Sequence, residues 1–202
     1  MSKRIIGLTG FYCAGKNHVA EILVKRGFAA LDVDKLGHKV IEREQRSIVE
    51  RFGNDIVKDG RVNHRLLGEK VFGKPMELAV LEAIIHPCVN TLIEDWVEKN
   101  ENCIINAALL HRTSIFPRLD AIIVVKAPLL IRLIRAKRRD RLSWISIFSR
   151  FKSQNFSFCL KSVRKNAENK ETIYIINNSG RKPQKQIDKV VEALNYLLPP
   201  GE

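Results

Sequence analysis

Ile5-Ile6-Gly7-Leu8-Thr9-Gly10 runs directly into Phe11-Tyr12-Cys13-Ala14-Gly15-Lys16-Asn17, and no other stretch constrains the fold of this chain as tightly. A short apolar run, a loop bounded by glycines and a lysine at the head of a periodic segment describe a strand, a turn and a helix N-terminus. From Gly10 to Lys16 the spacing is that of the phosphate-binding loop G-x-x-x-x-G-K, with Asn17 where Ser or Thr usually follows. Glycines at both ends let backbone N–H groups close around phosphate oxygens, and the helix N-terminus adds the positive end of its dipole. Lys16 then brings a point charge to the outer phosphates. An ordinary strand–helix turn is the competing interpretation of the same residues.

The rest of the chain repeats the alternation of strand and helix. Val19, Ala20, Leu23 and Val24 recur at helical spacing over Asn17 to Lys25, and Gly27 ends that helix. Further strands are expected at Phe28 to Val33, Cys103 to Ala107, Ala121 to Val125 and Thr172 to Ile176. Residues 35 to 100 are expected to be mostly helical, with Pro87 kinking or dividing the long run from Met76 to Val97. Helices also follow at Pro128 to Arg139 and Lys185 to Leu197, and Pro199 to Glu202 is a frayed tail. Gly53, Asp59-Gly60, Gly73-Lys74-Pro75 and Asn178-Ser179-Gly180 mark turns. The pattern implies an α/β fold with a doubly wound, parallel, five-stranded sheet and ligands at the carboxyl ends of the strands.

Composition narrows the functional classes. The chain has 202 residues, 45% hydrophobic and 28% charged, enough for one globular domain with a substantial core. Apolar runs such as Ala121 to Val125 are too short to cross a bilayer, and no charged-then-apolar leader precedes the first strand. Cys13, Cys88, Cys103 and Cys159 have neither C-x-x-C nor metal-ligand spacing, which fits a reducing cytoplasm. A net charge of +13 favours anionic partners. Much of it lies in Arg132, Arg135, Lys137, Arg138, Arg139 and Arg141, either a phosphate-binding face or a solvated basic helix. With no recognisable nucleic-acid module, neither nucleic acid nor membrane is an expected partner.

Ordered groups across nearly the whole chain resemble the dephospho-CoA kinase family. They are Leu31-Asp32-Val33-Asp34, Phe52-Gly53, Asp59-Gly60, Val71-Phe72 and Leu81-Glu82-Ala83-Ile84-Ile85-His86-Pro87. Leu109-Leu110, Pro128 with Arg135 and Arg139, Asp140-Arg141-Leu142-Ser143, Arg150, Gln154 and Asn178-Ser179-Gly180 continue the match. The resemblance implies a P-loop kinase that moves the γ-phosphoryl of ATP to the ribose 3′-hydroxyl of dephospho-CoA with Mg²⁺. It implies a single domain with a core at about 1–34, 101–136 and 171–198, a CoA-binding helical insertion at about 35–100 and a lid at about 137–160. Lys16, Asp34 and Arg139 would be catalytic, and Cys13, Ala14, Gly15, Lys16, Asn17 and His18 would bind ATP. Asp32, His86 and Pro87 would contact the substrate, and Asn17 would meet the metal. A cytoplasmic monomer is the expected form.

Each of these residues has a plainer structural alternative. Asp34 can take a proton from an attacking hydroxyl or cap the helix that begins at Lys35. Asp32 can meet metal or structure the turn. His86, between Ile85 and Pro87 in an apolar run, reads better as a packing residue that shapes the pocket than as a base. Arg132, Arg135 and Arg139 share one helix face, with Leu129, Leu133 and Ala136 toward the core. Trp96, Trp144 and Phe148 are packing candidates, with Trp144 also a candidate ligand contact.

The chain also departs from the family pattern. Asn17 replaces the hydroxyl residue, and its carbonyl oxygen lies one bond farther from the backbone. Asn106 stands where the pattern D-x-P-L-L-x-E has Asp, Ala108 replaces its Pro and Arg112 its Glu. His64 stands where Arg is usual, and Phe11 and Cys13 where Gly is usual. At about 5 Å and an effective dielectric of roughly 20, a carboxylate attracts a divalent cation by on the order of 6 kcal/mol before solvation offsets it. A homologue with weakened catalysis, binding nucleotide or CoA in a regulatory role, is therefore the alternative function.

Overall fold

The apolar runs at residues 5–10, 103–106 and 121–125 become strands buried on both faces, as the middle of a parallel sheet requires. The computed structural model describes residues 3–140, 144, 147, 151, 173–179 and 183–197. Its chain divides into two compact units, Met1–Leu31 with Val97–Glu202, and Asp32–Trp96.

The first unit is built on strands β1 (Arg4–Gly10), β2 (Ala29–Asp32), β5 (Asn102–Asn106), β6 (Ala121–Lys126) and β7 (Ile173–Asn177). They form one sheet in the order β2-β5-β1-β6-β7, with β1 central and buried at every position. The pairs β1–β5, β1–β6 and β6–β7 are parallel, and Leu8 lies opposite Asn106, Gly10 opposite Val125 and Lys126 opposite Asn177. The carboxyl ends of four strands therefore finish along one edge.

One face of this sheet, including Ile6, Leu8, Ile104, Ile123, Val125 and Ile176, packs with helices α1 (Lys16–Val24) and α7 (Pro183–Leu197). The opposite face is covered closely at Gly7, where a Cβ would come within 2.5 Å of Leu110 Cδ2. Helix α1 ends as expected at Gly27, whose φ is 91°. Gly27 N–H donates to Val24 O (3.1 Å) and Phe28 N–H to Leu23 O (3.3 Å), the paired bonds of a Schellman stop. Helix α6 spans Leu129–Asp140.

The second unit carries α2 (Val33–Arg43), α3 (Gln45–Phe52), a hairpin of β3 (Val57–Lys58) and β4 (Arg61–Val62), α4 (His64–Val71) and most of α5 (Pro75–Glu98). Ile41, Ile48, Phe52, Ile56, Val62, Leu67, Val71 and Leu81 form its buried cluster. The hairpin was not expected, although its turn was. Asp59 and Gly60 both have positive φ, 52° and 76°, the signature of a two-residue type I′ turn. Gln45 ties the hairpin to α3, donating to Gly60 O (3.0 Å) and accepting from Val62 N–H (3.3 Å).

Pro87 does not divide α5, which runs as one helix of 24 residues. By length and a mean hydropathy of 1.4 over its most apolar window, α5 is long and apolar enough to cross a membrane, which the short apolar runs did not suggest. It also carries Glu77, Glu82, Glu94, Asp95 and Glu98, and its Leu81, Val89, Ile93 and Val97 are buried in the protein.

Candidate functional site at the sheet edge

The loop after β1 is shaped by what its glycines exclude. A Cβ on Gly10 would lie 2.4 Å from Val125 O, so β1 can end against β6 only without a side chain there. Phe11 N–H then donates to Val125 O (3.2 Å), and Ala14 N–H turns back to Phe11 O (2.9 Å). Cys13 and Gly15 adopt positive φ, 57° and 91°. Gly15 is the N-cap of α1 and supplies no side-chain cap, and the first turn carries no acid. The first amides of the helix are therefore presented at the loop, with Lys16 beside them.

Polar side chains hold this loop from behind. Arg132 Nε donates to Tyr12 O (2.8 Å), Arg135 Nη1 to Ala14 O (3.1 Å) and Arg135 Nη2 to Asn178 O (3.1 Å). Asn178 Nδ2 donates to Ala14 O as well (2.9 Å), packed so closely that a Cβ on Gly15 would meet it at 2.3 Å. The Arg132 guanidinium also lies over the rings of Phe11 (4.7 Å) and Phe151 (4.6 Å). Burial pulls Arg132 below its ordinary value, and Cys13 opposes the shift. A guanidinium remains charged under these conditions.

The arginine face of α6 is thus not simply solvated. Arg132 and Arg135 turn onto the loop's backbone, whereas Leu129, expected toward the core, is exposed along with Leu130 and Ile134. Ala136 is buried as expected, and Leu133 packs beside it. Arg139 is exposed, its guanidinium 5.3 Å above the Tyr12 ring. Trp144 is exposed rather than packed, with Lys137 Nζ 5.3 Å from its ring. Arg141, Leu142, Ser143, Phe148, Arg150, Gln154, Gly180 and the lid beyond residue 151 lie outside the described residues.

Of the remaining nucleotide-loop candidates, Cys13, Gly15 and Lys16 are half-buried and Ala14 is buried. His18 is exposed, 3.9 Å from Glu21 on the next turn of α1. Asn17 is exposed, and its Oδ1 accepts from Asn106 Nδ2 (2.9 Å). Asn106 is 3% exposed, and its Oδ1 has no hydrogen-bond partner among the described residues. Hard divalent cations take oxygen ligands, so two amide oxygens fit Mg²⁺ in kind, but they bring no charge. Among the described residues no three His, Cys, Asp or Glu side chains gather where they could hold a metal.

The remaining candidates belong to the second unit. Asp32, not Asp34, is the N-cap of α2 and accepts from Lys35 N–H (3.0 Å). That corrects the capping alternative for Asp34, which sits exposed in the helix's first turn. His86 is half-buried and Pro87 exposed on α5. The structure also stacks His38 on His64, 4.6 Å between ring centroids, a pairing that their sequence spacing does not reveal. In the sequence Asn178 stands out as a turn residue and as part of the family resemblance, with no role assigned to its side chain. Its position just beyond a strand end was the available sign of a role at the loop.

A five-stranded sheet in this order, carrying a glycine-opened phosphate loop on its central strand, defines a P-loop kinase. The chain belongs to the dephospho-CoA kinase family, whose model matches residues 4–183. A relative from Wolinella succinogenes named dephospho-CoA kinase is 32% identical over 154 residues, 74% of this chain and 77% of that protein. The crystal structure of TT1252 from Thermus thermophilus superposes with a TM-score of 0.80 at 27% identity, covering 99% of this chain and all of that one. A dephospho-CoA kinase structure from Campylobacter jejuni shares the fold, with a TM-score of 0.60 at 24% identity over 95% of this chain and 97% of its own. By family, the chain is an ATP-using kinase.

Proposed function

We propose that this chain phosphorylates the ribose 3′-hydroxyl of dephospho-CoA, giving coenzyme A and ADP. The observation that carries the reading is the start of α1, whose glycine N-cap leaves the first amides to a ligand while Lys16 stands beside them. Residues Cys13 to His18 receive the triphosphate, and Lys16 neutralises charge on the transferring phosphoryl group. Asp34 accepts the hydroxyl proton as the 3′-oxygen bonds to the γ-phosphorus and the bond to the ADP oxygen breaks. Arg139 steadies the phosphoryl oxygens. The unit Asp32–Trp96 holds the CoA substrate, with Asp32, His86 and Pro87 in its pocket, and residues 137–160 form the lid. When bound, Mg²⁺ supplies charge neutralisation between phosphates, and Asn17 and Asn106 are the residues that would hold it.

A cytoplasmic monomer completes the reading. Cys88 and Cys103 are free thiols among the described residues, which is compatible with a reducing compartment.

The test is phosphorylation of dephospho-CoA by the purified protein with ATP across a Mg²⁺ and Mn²⁺ titration. ATP-dependent formation of coenzyme A is expected. Saturable ATP binding without product would defeat it and favour the weakened, nucleotide-binding homologue, for which Asn17 and Asn106 are the structural motive.

A further inference from the structure

The amide pair at the sheet edge has chemistry of its own. Asn106 is the last residue of β5, opposite Leu8 of the central strand, and its side chain is almost wholly buried. Its Nδ2 donates to Asn17 Oδ1 on the first turn of α1, while its own carbonyl oxygen has no partner among the described residues. A buried carbonyl left in this condition requires an explanation, because such groups ordinarily find a donor. A primary amide offers one acceptor oxygen and two donor hydrogens, so the single bond to Asn17 leaves the Asn106 oxygen an open, uncharged acceptor. Both residues are neutral, and the adjoining loop is held by the guanidinium groups of Arg132 and Arg135.

A triphosphate carries several negative charges into this setting. Beside a carboxylate it would need a divalent cation to relieve repulsion; beside two amides that repulsion is absent. We propose that the Asn17–Asn106 amide pair makes metal-free nucleotide a ligand of this loop, with Asn106 the residue that sets the tolerance. The inference rests on the nucleotide-binding reading above and concerns which form of the nucleotide is bound, not which acceptor is phosphorylated. In transfer itself a cation can still act on the phosphoryl group.

Isothermal titration with β,γ-imido ATP, in excess Mg²⁺ and in EDTA, tests this on the full chain. For the unaltered protein the two dissociation constants should agree within about threefold. Asn106→Asp introduces the missing charge, and its binding should weaken by about tenfold or more when Mg²⁺ is removed. Because a carboxylate at the buried position can cost folding, Asn17→Asp provides the same charge from an exposed first-turn residue, where a helix N-terminus tolerates it. It should show the same gain in metal dependence.

Loss of tenfold or more in EDTA by the unaltered protein would overturn the proposal, as would a folded Asn17→Asp variant that binds equally with and without metal. If the unaltered protein makes coenzyme A yet binds nucleotide only with Mg²⁺, the inference falls and the kinase reading stands. If the folded protein binds no nucleotide in either buffer, both fall.

Discussion

The two compact units keep their functional groups in opposite ways. In the sheet unit, the loop is backbone held by backbone and by side chains reaching from other elements, and its glycines sit where any Cβ would collide. In the helical unit, the corresponding candidates are side chains on helices: Asp34 and Pro87 are exposed, and only Asp32 is committed to a cap. Its packing is backed by surface ion pairs, Arg51–Glu77 at 3.1 Å and Lys70–Asp55 at 2.6 Å, with Lys70 also donating to Phe52 O. Groups that must cradle a charged chain of phosphates are built in by close approach. The helical unit's candidates are instead exposed or half-buried side chains.

Changes that spare the fold but remove chemistry probe this contrast most strongly. Lys16→Ala in the sheet unit and Asp34→Asn in the helical unit should each lower dephospho-CoA turnover by about 10²–10⁴-fold with little change in melting temperature. Substantial turnover in both variants would defeat the assignment. If only Asp34→Asn retained it, the helical unit would be a holder of substrate without chemistry.

A pair of glycine substitutions separates crowding from conformation. Gly15 and Gly60 both have positive φ, but a Cβ at Gly15 meets Asn178 whereas Gly60 has nothing within 4 Å. Gly60→Ala should cost about 1–2 kcal/mol of stability for its left-handed backbone alone. Gly15→Ala should cost more and, in addition, weaken ATP binding by about tenfold or more, read by calorimetry. Equal effects would mean that the latch from Asn178 is dispensable.

Hydrogen-bond deletions are expected to act more weakly. Arg135→Gln removes the guanidinium donor to Asn178 O and one of the two donors to Ala14 O, and should cost about 1–3 kcal/mol, expressed mainly as a raised KM for ATP. Lys70→Met in the helical unit should lower the melting temperature without changing that KM. A shift of the ATP constant by Lys70→Met would erase the distinction between the units.

The smallest expected effect is acid sensitivity. Burial, aided by His38, holds His64 below its ordinary value of 6.5, while Glu42 opposes the shift. His111 in the sheet unit is lowered as well, by burial and then Arg112. For a base depressed in the folded state, the unfolded chain takes up protons first. The stabilisation is therefore complete above 6.5 and is lost as pH falls from there toward the folded value. Melting curves followed downward through that window should fall less steeply in His64→Gln than in the unaltered protein. An identical slope would show that the His38–His64 stack carries no pH dependence.

Much of this molecule was legible before any coordinates. The strands fall within about two residues of their expected bounds, because buried parallel strands read as apolar runs and Gly27 stops α1 by a mechanism visible in sequence. The β3–β4 hairpin escaped because two-residue strands are too short to show a period, although Asp59-Gly60 announced its turn. Orientation was harder than location. Helical spacing put Arg132 and Arg135 on one face, but could not tell that buried carbonyls of the loop would claim them. Asn17 and Asn106 could be singled out separately as departures. Their contact joins residues 89 apart and needed the adjacency of β1 and β5 to become visible.

Asn178 reaches back 164 residues to Ala14. During synthesis the phosphate loop leaves the ribosome well before the side chain that latches it is made. The loop therefore reaches its final form only after Asn178 has followed it, and a nascent or truncated chain ending before β7 carries the nucleotide motif in full without the latched loop.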